Sequence, residues 1–333
     1  MKNILYSEIF PLMPIKIVEI LKKVSMNYLC FLEEIRLRSA KPLMLVIKNK
    51  DYMITPDGNF TKEYEKAFFV TKEDIFKTFQ FISQCSVYSI ESEMKNGYIT
   101  IPGGHRVGFS GQVVLEKDNI KTIKNISSFN IRVAREVLGA ADKVLPYITD
   151  KNGLILNVLI ISPPKAGKTT LLRDMIRQLS SGVDRLGING YNIGLVDERS
   201  EIACCYEGIP QNDVGIRTDV LDRCPKAQGM MLLLRSMSPD IIATDEIGRN
   251  EDAIAIEEAI NAGVAVIATV HGLNVEDVKK RPTIRKLINR GFFHRYIVIG
   301  FSSGVGSIEA IIDNKTNKNL YIHTEERKKI ICG

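Results

Sequence analysis

Nowhere in this 333-residue chain do about 18 apolar residues run together, the length that a membrane-spanning helix needs. No such helix is expected. A signal-peptide pattern is also missing, since Glu8, Pro11 and Pro14 interrupt the N-terminal stretch. Charge of one sign is not in excess. Lys and Arg number 45 against 39 Asp and Glu, a net +6 that reads as an ordinary solvated surface, so no nucleic-acid partner is expected. Cysteine is scarce: Cys30, Cys85, Cys204, Cys205, Cys224 and Cys332 form no C-x-x-C pair, and adjacent Cys204 and Cys205 cannot close a normal disulfide loop. They read as reduced thiols of a cytosolic protein, not as a zinc site. Internal repeats and low-complexity segments are absent. What is present is a globular composition, 45% hydrophobic and 25% charged, in a chain long enough for two cores.

The two halves differ in rhythm. After Pro14, Ile17, Ile20, Leu21 and Val24 recur at helical spacing. Glu34 to Arg38 alternates like a half-buried strand, and Leu43 to Ile47 is continuously apolar. Thr71 and Asp74 mark a helix start, with Ile75, Phe79 and Ile82 on one face. Tyr98 to Ile101 and Val107 to Val114 flank Pro102-Gly103-Gly104 as a hairpin. These features describe an α+β domain over residues 1–140. Beyond it, strand candidates at Leu154 to Ile161, Ile193 to Val196, Ile241 to Thr244 and Val264 to Val270 alternate with helical stretches. That pattern predicts a parallel sheet covered by helices, an α/β domain over 141–333. The boundary is expected near 136–152, where Gly139, Pro146 and the turn Asp150-Lys151-Asn152-Gly153 break the pattern.

The first apolar strand of that domain runs into Ser162-Pro163-Pro164-Lys165-Ala166-Gly167-Lys168-Thr169, followed by a helical run from Thr170 to Leu179. Strand, loop and helix in this order form the setting of a phosphate-binding P-loop. Residues Ser162 to Thr170 are the candidate nucleotide site: backbone N–H groups and the helix N-terminus attract phosphate oxygens. Lys168 would reach the β- and γ-phosphates of ATP, and the Thr169 hydroxyl would sit on Mg²⁺. Ser162 stands where the pattern has glycine, and Lys165 where glycine is frequent, so the loop conformation departs from the common form.

Pro239 to Glu246 reads as a Walker B strand, carrying two carboxylates to the sheet edge where ligands bind in open α/β folds. Asp245 would hold Mg²⁺ through its water shell, and Glu246 would orient or deprotonate the attacking water. Between the two motifs, Asp197, Glu198 and Glu201 follow another apolar strand and either line the same crevice or form a charged loop. His271 ends the strand after Walker B, as a reporter of the γ-phosphate or as an ordinary surface or core histidine. The segment Gly215 to Arg223 has few apolar residues to bury and reads as a partner-facing loop.

The order of these motifs resembles the secretion-type ATPase superfamily, which includes the type II and type IV secretion and pilus motors. Its Walker A loop, Asp box, Walker B strand and His box correspond to Ser162 to Thr169, Val196 to Glu201, Ile241 to Glu246 and Thr269 to Gly272. The chain is similar, closer still, to the sporulation branch of that superfamily in endospore-forming bacteria. Val196 to Ile202, Pro210 to Asp222, Arg235 to Asp240, Glu34 to Arg38 and Pro102 to Gly108 carry that likeness. The resemblance implies a RecA-like ATPase domain and a homo-oligomeric, hexameric ring. It implies a peripheral place on the cytoplasmic face of the mother-cell membrane, beside a channel component that feeds the forespore. It also makes Glu201 a catalytic acid beside Glu246, and puts Arg217 and Arg223 where arginines reach ATP. Two other readings stay open from the residues: a nucleotide-binding scaffold with little hydrolysis, and a nucleic-acid-dependent RecA-like ATPase.

Overall fold

A computed structural model describes residues 4–83, 94, 97–116, 119–134, 136–150 and 153–321. Cys85, Cys332 and the turn residues Lys151 and Asn152 lie outside them. The chain divides into two compact units, Met1–Arg135 and Glu136–Gly333.

The first unit is built on an antiparallel sheet of β1 (Leu32–Arg38), β3 (Met44–Ile47), β4 (Lys50–Ile54), β5 (Phe60–Thr61), β7 (Tyr98–Ile101), β8 (His105–Glu116) and β9 (Asn119–Arg132), in the order 5-4-3-1-9-8-7. A small ribbon pairs β2 (Lys41–Pro42) with β6 (Phe69–Val70). Alternation in β1 sends Ile35 and Leu37 inward. Helix α1 (Ile15–Lys23) buries Ile17, Ile20 and Leu21. Helix α2 (Lys72–Ser83) begins where Asp74 accepts from the Thr71 N–H and hydroxyl, both at 2.8 Å, while Thr71 Oγ accepts from the Asp74 N–H. The hairpin turns at Gly103 and Gly104, both at positive φ.

The second unit carries β10 (Val158–Ser162), β11 (Ile193–Asp197), β12 (Thr218–Asp222), β13 (Ile241–Thr244), β14 (Ala265–His271), β15 (Arg295–Gly300) and β16 (Ser307–Asp313), ordered 12-11-13-14-10-15-16. All neighbours are parallel except β15 and β16. Helices α3 (Lys168–Ser181), α4 (Lys226–Ser236), α5 (Asn250–Asn261) and α6 (Pro282–Asn289) cover the faces. Successive residues of a strand point to opposite faces, so each central strand feeds two cores. Ile160 and Leu195 pack with Leu172 and Met175 of α3, whereas Leu159 and Val196 pack with Met230 of α4 and Ile256 of α5.

Two sequence expectations shift. The strand expected from Leu154 starts at Val158, because Asp150 turns the chain: its carboxylate accepts from Leu154 N–H at 2.8 Å, and Leu154 is exposed. The stretch expected as a partner-facing loop instead contains β12. An edge strand buries little, so Thr218, Asp219 and Asp222 are accommodated where polar composition suggested a loop. Strands β15 and β16 were not expected at all.

One polar anchor fixes α3. Asp174, nearly fully buried, accepts from Ala141 N–H at 2.8 Å, from Gln178 at 2.9 Å and from Arg177 at 2.7 Å. Burial alone would raise this carboxyl, but the Ala141, Arg177 and Gln178 bonds outweigh it and hold it below the usual carboxylate range. A carboxyl depressed in the folded state stabilises the protein above its unfolded pKa, about 3.9. The contribution disappears as pH falls through the lower, folded value. Asp174→Asn is therefore expected to destabilise the protein at pH 7 by about 1–3 kcal/mol. It should also flatten the loss of stability on acidification. Urea unfolding across the acid range checks both outcomes.

Candidate active site

The C-terminal ends of β10, β13 and β14 converge on one ammonium. Lys168 opens α3, preceded by Gly167 at φ 92, and is 5% exposed. Its Nζ lies 3.1 Å from Asp245 Oδ1 and 3.2 Å from Glu246 Oε1. Thr169 Oγ1 donates to Asp245 Oδ2 at 3.1 Å.

Adjacent residues of a regular strand cannot both face one group. Glu246 resolves this by leaving the strand in the left-handed region, at φ 51. That conformation costs a non-glycine residue about 1–2 kcal/mol. Strand β14 supports it: Thr269 Oγ1 accepts from Glu246 N–H at 2.8 Å, and Thr269 O accepts from Ile247 N–H at 2.9 Å. The Thr269 hydroxyl itself donates to Asp245 Oδ1. His271, at the end of β14, reaches Glu246 Oε1 at 2.7 Å, and Arg199 Nη1 reaches Glu246 Oε2 at 2.9 Å. Burial works against charge on Glu246, but Lys168 and His271 outweigh it and hold the carboxyl below its ordinary range. Glu246 is an anion at neutral pH.

The phosphate loop tolerates its two departures differently. Ser162 is the last residue of β10, fully buried, outside the positive-φ region, and its hydroxyl donates to Pro163 O at 3.0 Å. A glycine is not required there. Lys165 sits at φ 63, the conformation that makes glycine frequent at its position. The loop is braced by the turn between β15 and β16. Gly306 N–H donates to Ala166 O at 3.0 Å, and a Cβ on Gly167 would stand 3.3 Å from Gly306 Cα.

The acidic stretch after β11 is organised by Asp197, which is 2% exposed. Its carboxylate accepts from Glu201, Ile202 and Ala203 N–H groups, each at 2.9 Å. Burial nevertheless raises its pKa. Arg173 of α3 donates to Ile202 O at 2.5 Å and to Glu201 O at 2.7 Å. Glu201 thus contributes its backbone to the loop, while Glu198 pairs with Lys226.

The structure brings Lys168, Thr169, Asp245, Glu246 and His271 together. Arg223 lies at the same sheet edge, with its N–H on Asp197 O at 2.8 Å and its Nε 3.6 Å from Asp222. Arg217 does not join them. It precedes β12, and its guanidinium donates to Ser180 O at 2.8 Å near the far end of α3, roughly 18 Å along the helix from Lys168. Arg199 and Thr269 were not singled out from the sequence. Their signals were present, as an arginine inside the acidic stretch and a hydroxyl two residues before His271.

Mg²⁺ prefers oxygen ligands, keeps several waters and needs few protein donors. Thr169 and Asp245 offer neighbouring oxygens of this kind. Among the described residues no group of three or more His, Cys, Asp or Glu forms a ready-made metal cage.

A parallel sheet with one strand between the phosphate-loop strand and the acidic strand, both ending at the same edge, is a RecA-like P-loop fold. Two solved structures share it: the Legionella pneumophila ATPase DotB (TM-score 0.55, 16% identity, 86% of this chain and 76% of that one) and the pilus retraction motor PilT with bound ADP (TM-score 0.52, 15% identity, 85% and 77%). The chain belongs to the family described as "Sporulation stage III, protein AA", whose profile matches residues 5–319. It is similar to the stage III sporulation protein AA of Bacillus subtilis (strain 168), 41% identical over 93% of this chain and 96% of that protein.

Lys168→Ala removes the one buried ammonium at the loop. Its affinity for Mg²⁺-ATP is expected to fall by about 1.5–3 kcal/mol, roughly tenfold to a hundredfold in Kd, measured by calorimetric titration. Unchanged affinity would remove this loop as the phosphate site.

Proposed function

We propose that the chain is a Mg²⁺-dependent ATPase of the secretion-motor type. The observation that carries this reading is the convergence of Lys168 Nζ on Asp245 and Glu246 at 3.1 and 3.2 Å, with Thr169 on the same Asp245. Lys168 and the loop N–H groups bind the β- and γ-phosphates. Thr169 and Asp245 hold Mg²⁺, which when bound neutralises charge on the phosphates. Glu246, ionised, orients a water and accepts its proton as the new oxygen–phosphorus bond forms and the bridging oxygen leaves with ADP. His271 fixes Glu246 from the neighbouring strand. The nucleoside has room in a cavity of 890 Å³ beside the loop, lined by Gly139, Asp142, Lys143, Ser302 and Gly306.

Family membership supports a sporulation role, and the likeness to PilT, a pilus retraction motor with bound ADP, supports a nucleotide-driven one. In this reading the chain assembles as a homo-oligomeric ring, hexameric by likeness. It acts peripherally on the cytoplasmic face of the mother-cell membrane, energising a channel toward the forespore. In this reading the channel is a separate membrane partner; among the described residues no helix is long and apolar enough to cross a membrane. Glu201 remains the second candidate for the catalytic acid.

Glu246→Gln is expected to bind ATP but to turn it over at least about 100-fold more slowly, the scale of a lost general base. Steady-state phosphate release checks this. Near-normal turnover moves the catalytic acid to Glu201.

A ring supplies charge across an interface, and Arg217 and Arg223 are the candidates for it. Mixing Lys168→Ala subunits with Arg217→Ala or with Arg223→Ala subunits should restore part of the turnover that each lacks alone. No recovery in a co-assembled mixture assigns that arginine to its own subunit or to structure.

A further inference from the structure

Both oxygens of Glu246 are engaged. Oε1 receives Lys168 and His271, and Oε2 receives Arg199 Nη1 at 2.9 Å. Oε1 already accepts twice, so the lone pair left for a water lies on Oε2, the oxygen that carries the Arg199 guanidinium. The group on Oε2 is also unlike the other two. Lys168 is buried, whereas the Arg199 side chain is 65% exposed.

The backbone beneath Arg199 is fixed. Asp197 draws in three consecutive N–H groups just beyond it, Arg173 ties Glu201 and Ile202 to the phosphate-loop helix, and Ser200 takes a left-handed turn at φ 52. Glu198, on the other side, is pinned by Lys226. The stretch therefore presents a solvent-facing guanidinium on a rigid mount, directed at the acid beside Lys168. An ion pair this exposed adds little to stability, so exchanging its anionic partner costs little. A terminal phosphate carries more charge than a carboxylate and matches the planar fork of a guanidinium.

We propose that Arg199 is a γ-phosphate ligand supplied within the same chain, exchanging Glu246 Oε2 for the terminal phosphate of ATP. Oε2 of Glu246 is thereby cleared for its water when a triphosphate is present. The inference rests on the ATPase reading of Lys168 and Glu246 and adds a residue that distinguishes ATP from ADP at that site. A ligand shifts such an equilibrium only by its differential affinity, and ADP, without the γ-phosphate, has none for Arg199.

The test is equilibrium binding of a non-hydrolysable ATP analogue and of ADP, each with saturating Mg²⁺, to the full chain. Arg199→Ala should weaken analogue binding about tenfold or more, the scale of a lost charged hydrogen bond, and leave ADP within about twofold. Arg199→Lys should recover part of the loss. Turnover of Arg199→Ala should fall about 100-fold, as when one preorganised donor to the reacting group is removed. A tether that only holds Glu246 behaves differently. In a Glu246→Ala background it has nothing left to hold, so Arg199→Ala would then leave analogue affinity unchanged, and that result overturns the proposal. Retention of the roughly tenfold effect in that background supports it. Equal weakening of ADP and analogue also overturns it, by making Arg199 a general electrostatic contributor. If the wild-type chain binds neither nucleotide, the ATPase reading itself fails; if it binds both and Arg199→Ala matches it, the failure belongs to Arg199 alone. Circular dichroism shows whether each variant is folded.

Discussion

One ammonium organises this site. Lys168 emerges from the first turn of a helix and meets two carboxylates delivered by a strand that is not its neighbour in the sheet. A nearly buried cation demands anionic partners, and a carboxylate at a strand end needs a cation or water. Each motif meets the other's requirement. Strand β14, lying between them, contributes Thr269 to both acids and His271 to one. The left-handed turn at Glu246 follows from the same demand, because without it only one of two successive carboxylates would face Lys168.

Much of this was legible because buried parallel strands write themselves plainly. Ile193 to Val196, Ile241 to Thr244 and Val266 to Val270 are covered on both faces, so their runs are largely apolar without alternation. The residues that follow them must then sit at the edge where ligands bind. Edge strand β12 was not legible: with one side solvated, Thr218-Asp219-Val220-Leu221-Asp222 carries the composition of a loop. Strands β15 and β16 end in no motif, so the apolar run Tyr296 to Ile299 does not stand out in a linear reading.

The site shows the same division. Lys168, Thr169, Asp245 and Glu246 are tied to motifs whose spacing survives in a linear reading. Arg199 becomes visible only when β11 and β13 are set side by side. Asp197 looks like one acid among three until burial singles it out as the anchor of a tight turn. Arg217 illustrates the reverse: the resemblance puts it where arginines reach ATP, yet here it precedes a parallel strand whose N-terminal end lies at the opposite edge of the sheet from the phosphate loop of its own subunit.

The packing of Gly167 against Gly306 makes the C-terminal hairpin a support for the phosphate loop. A methyl group on Gly167 would press on the Gly306 Cα at 3.3 Å, and Gly306 itself holds φ at 85 while its N–H secures Ala166. The constraint is one-sided: a methyl group on Gly306 would meet open space, so that position is held to glycine by its φ alone. What crosses between these distant parts of the chain is the backbone, so any shift of the hairpin at Gly306 is transmitted to the phosphate loop.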